Sequence, residues 1–179
     1  FKFIGKFKYK VRVDGGWGVD ILTGKQNRDH RDIDIDFDSK FEEVLLDALK
    51  NKGYKITTDW SPSRIELHHP ELGYLDIHPL IINEDGSAKQ ADPHGGWYHF
   101  EANWFSCSLF EGRIIPCISA EAQKLFHSGY ELREVDNIDI KNLESLFPNN
   151  IYKQSTNFNL SVIDEHRGGL MAKHEFGIF

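Results

Sequence analysis

Between Arg31 and Ser39 the chain reads DIDIDFD, with Asp32, Asp34, Asp36 and Asp38 at every second position. In an extended strand alternate side chains share a face, so these carboxylates line one side and Ile33, Ile35 and Phe37 the other. Such a strand needs an apolar layer against one face and something cationic against the other. Oxygen-only donors select Mg²⁺, Mn²⁺ or Ca²⁺ over zinc. Asp32 and Asp34 are one strand repeat apart, roughly 6.5–7 Å. That lets them converge on one or two ions, and two-metal sites hold their ions about 3.5–4 Å apart. The plain alternative is a solvated edge strand. Aspartates in register beside a glycine turn weigh against it. An EF-hand loop is excluded, because Phe37 stands where that loop needs glycine and no helix leads into Asp32.

The rest of the chain predicts an α+β (mixed α/β) domain. Residues 7–13 alternate and form a strand entering Gly15-Gly16. A short helix covers 17–23 and ends at Gly24. After the acidic strand, Asp38 or Ser39 caps a helix to about residue 52, with Ser39 and Glu42 spaced as a capping box and Gly53 as the stop. Strands are expected at 54–58, 64–68, 74–80, 97–100 and 113–117, and helices at about 119–128 and 136–147. Residues 83–96 are turn-rich, with Asp85-Gly86 as a hairpin signal. The expected division is a domain over 1–147 and a C-terminal extension over 148–179. Residues 1–10 are expected to begin inside a longer element.

Composition narrows the function. A net charge of −7 over 179 residues disfavours a nucleic-acid binder, which gains affinity from a basic surface, and suits a small cationic substrate. There is no long apolar run and no signal-peptide pattern, so neither a membrane span nor secretion is expected. Two cysteines, Cys107 and Cys117, fit a reducing cytoplasm better than a disulfide. Nine histidines raise zinc, but His68, His69 and His78 lack the spacing of a zinc site. Trp97, Tyr98, Phe100, Trp104 and Phe105 concentrate aromatic surface. Core packing is the default for them, and a wall for an apolar ring the alternative.

A glycine pair between a strand and a helix lets backbone amides approach an anion at the helix's positive end. Set beside the acidic strand, Gly15 and Gly16 suggest a polyphosphate site. Lys25, Arg28, His30 and Arg31 are the nearest cations. Asp76, flanked by Leu75 and Ile77 in a strand, shares a face with Tyr74 and His78. Burial there would raise its pKa and a metal would lower it.

The motifs DGGWGVD, TGKQ, HRDIDIDFD, GYLDIHP, GGWYHFEANWFS, IPCISAEAQ, LFHSGYEL and DIKNL together resemble the DNA polymerase β-like nucleotidyltransferase superfamily. Within it they are most similar to the small lincosamide nucleotidyltransferases. The resemblance covers residues 13–146. It departs from the family at the missing or shortened N-terminal helix and after Phe147. It implies a central mixed sheet flanked by helices. By resemblance Asp32 and Asp34 are metal ligands, and Asp76 is the third carboxylate and the general base. Gly15 and Gly16 contact the triphosphate with Arg28 and His30 beside them. Asp36 and His78 support the site or meet substrate, and Asp20 supports it from behind. His127 is placed to approach the nucleotide base, with a helix-end histidine satisfied by a carbonyl as an equal alternative. Also implied are two Mg²⁺ ions, ATP or another NTP as co-substrate, a lincosamide acceptor and a homodimer. The rival expectations are the same chemistry on an aminoglycoside and a non-catalytic nucleotide- or metal-binding module.

Overall fold

The computed structural model describes residues 11–128 and 131–148, with the backbone of the short strands β10 (Ile163–Asp164) and β11 (Gly169–Leu170). Residues 1–10 and most of the expected C-terminal extension lie outside the described residues.

Strand β1 (Arg12–Asp14) runs into helix α1 (Gly15–Thr23), followed by β2 (Asp32–Asp38) and α2 (Glu42–Asn51). Then come β3 (Lys55–Trp60), β4 (Arg64–His69), β5 (Gly73–Ile82), β6 (Ala88–Ala91), β7 (Trp97–Phe100), β8 (Phe105–Phe110) and β9 (Arg113–Ile118). Helices α3 (Ala120–Phe126) and α4 (Glu134–Leu146) close the series. The sheet order is β3-β4-β5-β2-β1-β9-β8, with β6 and β7 extending from β5. β2 is parallel to β5 and antiparallel to β1, so the sheet is mixed, as expected.

The oily face of β2 does what its pattern demands. Ile35 and Phe37 pack with Ile65, Leu67, Leu75 and Ile77 of the neighbouring strands, and with Leu45 and Leu49 of α2. Leu45 and Leu49 are four residues apart, hence on one helical face. Burying a side chain of that size is worth about 1.5–3 kcal/mol, which fixes α2 to this side of the sheet. The anionic face is thereby left on the other side.

Three details differ from the expectations. Helix α1 begins at Gly15 rather than Trp17, because Asp14 caps it and accepts from the Gly15 amide at 2.6 Å. No Ser39–Glu42 capping box forms: Asp38 caps a single 3₁₀ turn over Ser39–Phe41, which delays the α-helix to Glu42. Strand β6 falls within the turn-rich stretch, and β8 lies where no strand was expected although residues 105–109 alternate between apolar and polar. Most of the aromatic concentration is core, since Phe100, Trp104 and Phe105 pack with Phe126 and Ile118 and Tyr98 lies against them, whereas Trp97 is partly exposed with Lys89 over its ring at 4.3 Å.

Candidate active site

Strand register assembles the site. Asp34 lies opposite Asp76 on β5 and opposite Asp14 on β1, while Glu66 of β4 lies opposite Asp76. Carboxylates therefore form a row across four strands, Glu66–Asp76–Asp34–Asp14. The next row holds His78, Asp36 and Arg12. A sheet face so loaded with anions is unfavourable unless cations offset it.

Asp34, Asp76 and His78 each offer a ligand atom, and these atoms all lie within 4.8 Å of one another. Asp76 is 2% exposed. Its Oδ2 is held by Arg64 Nη1, whereas its Oδ1 is buried with no hydrogen-bond partner. An orphaned carboxylate oxygen beside a second carboxylate is what a hard divalent cation would satisfy, so the donor set fits Mg²⁺. Burial pushes the Asp76 pKa up. His78 and Arg64 pull against that, and Asp34 and Glu66 add to it.

The His78 Nε2 stands 3.6 Å from Asp34 Oδ1, an ion-pair distance longer than a hydrogen bond. Burial alone would lower the pKa of this imidazole, but Asp34, Asp76 and Asp36 outweigh it and push it up to about 9. On its other side Gln90 Nε2, which also donates to the Ser63 carbonyl, approaches His78 Nδ1 at 3.0 Å. Asp36 is fully buried, and neither carboxylate oxygen has a hydrogen-bond partner. Burial and the nearby Asp14 raise its pKa well above the usual range against the pull of His78 and Arg12.

The glycine turn touches this row directly. A Cβ on Gly15 would fall 2.3 Å from Asp34 Oδ2, and Gly15 has φ +57, so both space and backbone require glycine. A Cβ on Gly16 would meet Arg28 Nη2 at 2.2 Å and His30 Nδ1 at 2.6 Å. Arg28 and His30 thus lie on the first turn of α1, where a helix presents its positive end.

Each is braced from behind. Arg28 makes a bidentate pair with Asp139 of α4 at 2.9 and 2.7 Å. His30 pairs with buried Asp20 and lies 4.6 Å from the Trp17 ring. Asp20 is thus structural support.

Of the candidates read from sequence, the fold brings together Gly15, Gly16, Asp34, Asp76, His78, Arg28 and His30. Asp32 lies one strand repeat away on the same face and pairs with Arg31 at 3.0 Å. His127 ends α3 with its Nδ1 2.7 Å from the Gln123 carbonyl and its Nε2 3.9 Å from Asp139, the carbonyl-satisfied arrangement. Sequence reasoning missed Asp14, Arg64, Glu66, Gln90 and Asp139. The Arg-Ile-Glu alternation of β4 carried a signal of the same kind as the acidic strand, only weaker.

A central mixed sheet with a glycine-started helix beside paired strand carboxylates defines a polymerase β-like nucleotidyltransferase. Residues 1–143 match the family model described as aminoglycoside-2''-adenylyltransferase, and the chain belongs to that family. It is 60% identical over 134 residues to a lincosamide resistance protein of Staphylococcus haemolyticus, covering 75% of this chain and 83% of the relative. The fold matches the crystal structure of the lincosamide antibiotic adenylyltransferase LnuA with lincomycin bound, at TM-score 0.75 and 56% identity. That match spans 81% of this chain and 92% of the other. The aminoglycoside enzyme ANT(2'')-Ia, solved with adenylyl-2''-tobramycin, matches at TM-score 0.58 and 16% identity over 77% and 79% of the two chains. This last likeness is one of fold.

Proposed function

We propose that the chain adenylylates a lincosamide, moving AMP from ATP to a drug hydroxyl and releasing pyrophosphate. One observation carries the reaction type: Gly15, at the head of α1, abuts Asp34, which abuts Asp76. The acceptor class is supported by the relatives at 60% and 56% identity.

In this reading the acceptor oxygen attacks the α-phosphorus and the bond to the β-phosphate oxygen breaks. The hydroxyl proton passes to Asp76 Oδ1, the atom left open when Arg64 fixes Oδ2. Burial, by raising the Asp76 pKa, makes it a better base than a surface aspartate. Arg28, His30 and the Gly16 amide hold the β- and γ-phosphates at the positive end of α1. Asp32 and Asp34, with His78 beside them and Asp76 Oδ1 as a third oxygen until it takes the proton, would hold Mg²⁺, two ions by the family pattern, supplying charge neutralisation at the triphosphate and acidifying the attacking hydroxyl. His78 keeps Asp34 oriented. The reading includes a homodimer acting in the cytoplasm, with residues 148–179 as an extension to the catalytic domain. No helix among the described residues is long and apolar enough to cross a membrane.

The test is incubation with ATP, Mg²⁺ and either lincomycin, clindamycin or an aminoglycoside, followed by mass spectrometry for the AMP adduct. Adducts on the lincosamides are expected. None on either, or one on the aminoglycoside alone, overturns the acceptor class. Asp34→Asn and Asp76→Asn should each abolish the adduct while circular dichroism shows the fold retained, with Asp76→Asn lowering the melting temperature because it strips Arg64 of its anion. Wild-type turnover in either variant removes that residue from the chemistry.

A further inference from the structure

In-line attack places the acceptor oxygen opposite the departing pyrophosphate. Gly15 and Arg28 set the leaving group at α1, on the β1 side of Asp34. The acceptor must then approach over β5 and β4, past Asp76. Two arginines occupy that approach. Arg64, at the start of β4, holds Asp76 Oδ2 and lies over the Trp60 ring at 4.3 Å from its centre. Arg31 pairs with Glu66 and with Asp32, and lies over the Tyr74 ring at 4.5 Å. The other Glu66 oxygen accepts from Thr57 at 2.8 Å. Each carboxylate on the acceptor side is thus already countered by a guanidinium of the chain itself. Each guanidinium is in turn fixed by a ring as well as by its anions, and so resists displacement.

We infer that Arg31 and Arg64 are specificity residues that exclude polycationic acceptors, so that this site takes a hydroxyl-rich acceptor of low positive charge. The inference rests on the nucleotidyl-transfer reading above and deepens it. A guanidinium donates to a neutral sugar hydroxyl at no electrostatic cost, whereas an ammonium placed beside it meets a like charge and carboxylates already paired with guanidiniums. A lincosamide, with its single amine, meets that requirement. A polyamine sugar does not.

Tobramycin is the polycationic probe, and its binding is measured by calorimetry on full-length protein saturated with Mg²⁺ and a nonhydrolysable ATP analogue. Arg64→Met and Arg31→Met should each tighten tobramycin by roughly tenfold or more, the scale of removing one close like charge. Arg64→Lys keeps the charge and should stay at the wild-type value, which a merely structural role for the guanidinium would not produce. Equal affinity in wild type and both Met variants overturns the inference. So does equal tightening in Arg64→Lys and Arg64→Met. Arg31 is 59% exposed at its side chain, so Arg31→Met folds and carries the test if Arg64→Met does not. Because the readout is binding without turnover, it stands even if wild-type protein fails to modify lincomycin. That failure counts against the acceptor class alone.

Discussion

At the scale of single residues, the two glycines at the head of α1 do different work. Gly15 combines positive φ with a Cβ position 2.3 Å from Asp34 Oδ2. Alanine there strains the backbone and drives a metal-site carboxylate aside. Displacing catalytic groups by about 1 Å costs on the order of 100-fold in rate, so Gly15→Ala should lower kcat by about that factor. Gly16 has no such backbone demand, and the atom nearest its added Cβ is the far end of the Arg28 side chain. Gly16→Ala should therefore press on Arg28 and on the braced His30 ring, lower stability without straining the backbone, and raise KM for ATP more than it lowers kcat. Steady-state kinetics at saturating acceptor separates the two, and an unchanged KM for ATP in Gly16→Ala removes Arg28 from the phosphates. These residues were legible in the sequence because each breaks its local pattern: paired glycines before a helix, and aspartates inside apolar strands. Arg64 and Glu66 were not, since charges alternating with Ile65 and Leu67 read equally well as the solvated face of an edge strand.

Among the elements, α4 shows how a distant segment conditions the phosphate site. Its Asp139, 1% exposed at the side chain, grips Arg28 across 111 residues of sequence. Asp139→Ala would leave a largely buried guanidinium without its anion, a change that costs about 3–5 kcal/mol. Urea denaturation should show a loss of that size, accompanied by a higher KM for ATP because Arg28 is no longer aimed over Gly16. A KM that stays at the wild-type value would confine Asp139 to stability. The helices and most strands could be read from periodicity and caps, and β7 lies at the positions its sequence predicts. Strand β6, Ala-Lys-Gln-Ala, could not be: it has no strand-forming side chain, and pairing with β5 and β7 on either side makes it a strand. The expected capping box failed for a comparable reason, because Asp38 sits one residue earlier at the end of β2 and takes the capping position first.

For the whole molecule, topology and net charge act together. The carboxylate row exists because β5 inserts between β2 and β4, out of chain order, and nothing local to Asp76 discloses that neighbourhood. Only the resemblance joined Asp76 to Asp32 and Asp34. Net charge was legible but ambiguous. A charge of −7 draws cations of every kind toward the protein, so it cannot by itself separate a drug with one amine from one with many. Ionic strength distinguishes the two sources of selectivity. Going from about 0.01 to about 0.15 M shortens the Debye length from ~30 to ~8 Å, which removes the long-range field. Contacts such as Arg31 to Asp32 at 3.0 Å and Arg64 over Trp60 at 4.3 Å survive that change. Accordingly, kcat/KM for lincomycin should fall with added salt while the ratio of lincomycin to tobramycin turnover stays constant or rises. Rate measurements with both drugs across that range check it. A preference for lincomycin that weakens as salt is added would mean that a screenable field, and not the close contacts of the two arginines, sets the discrimination.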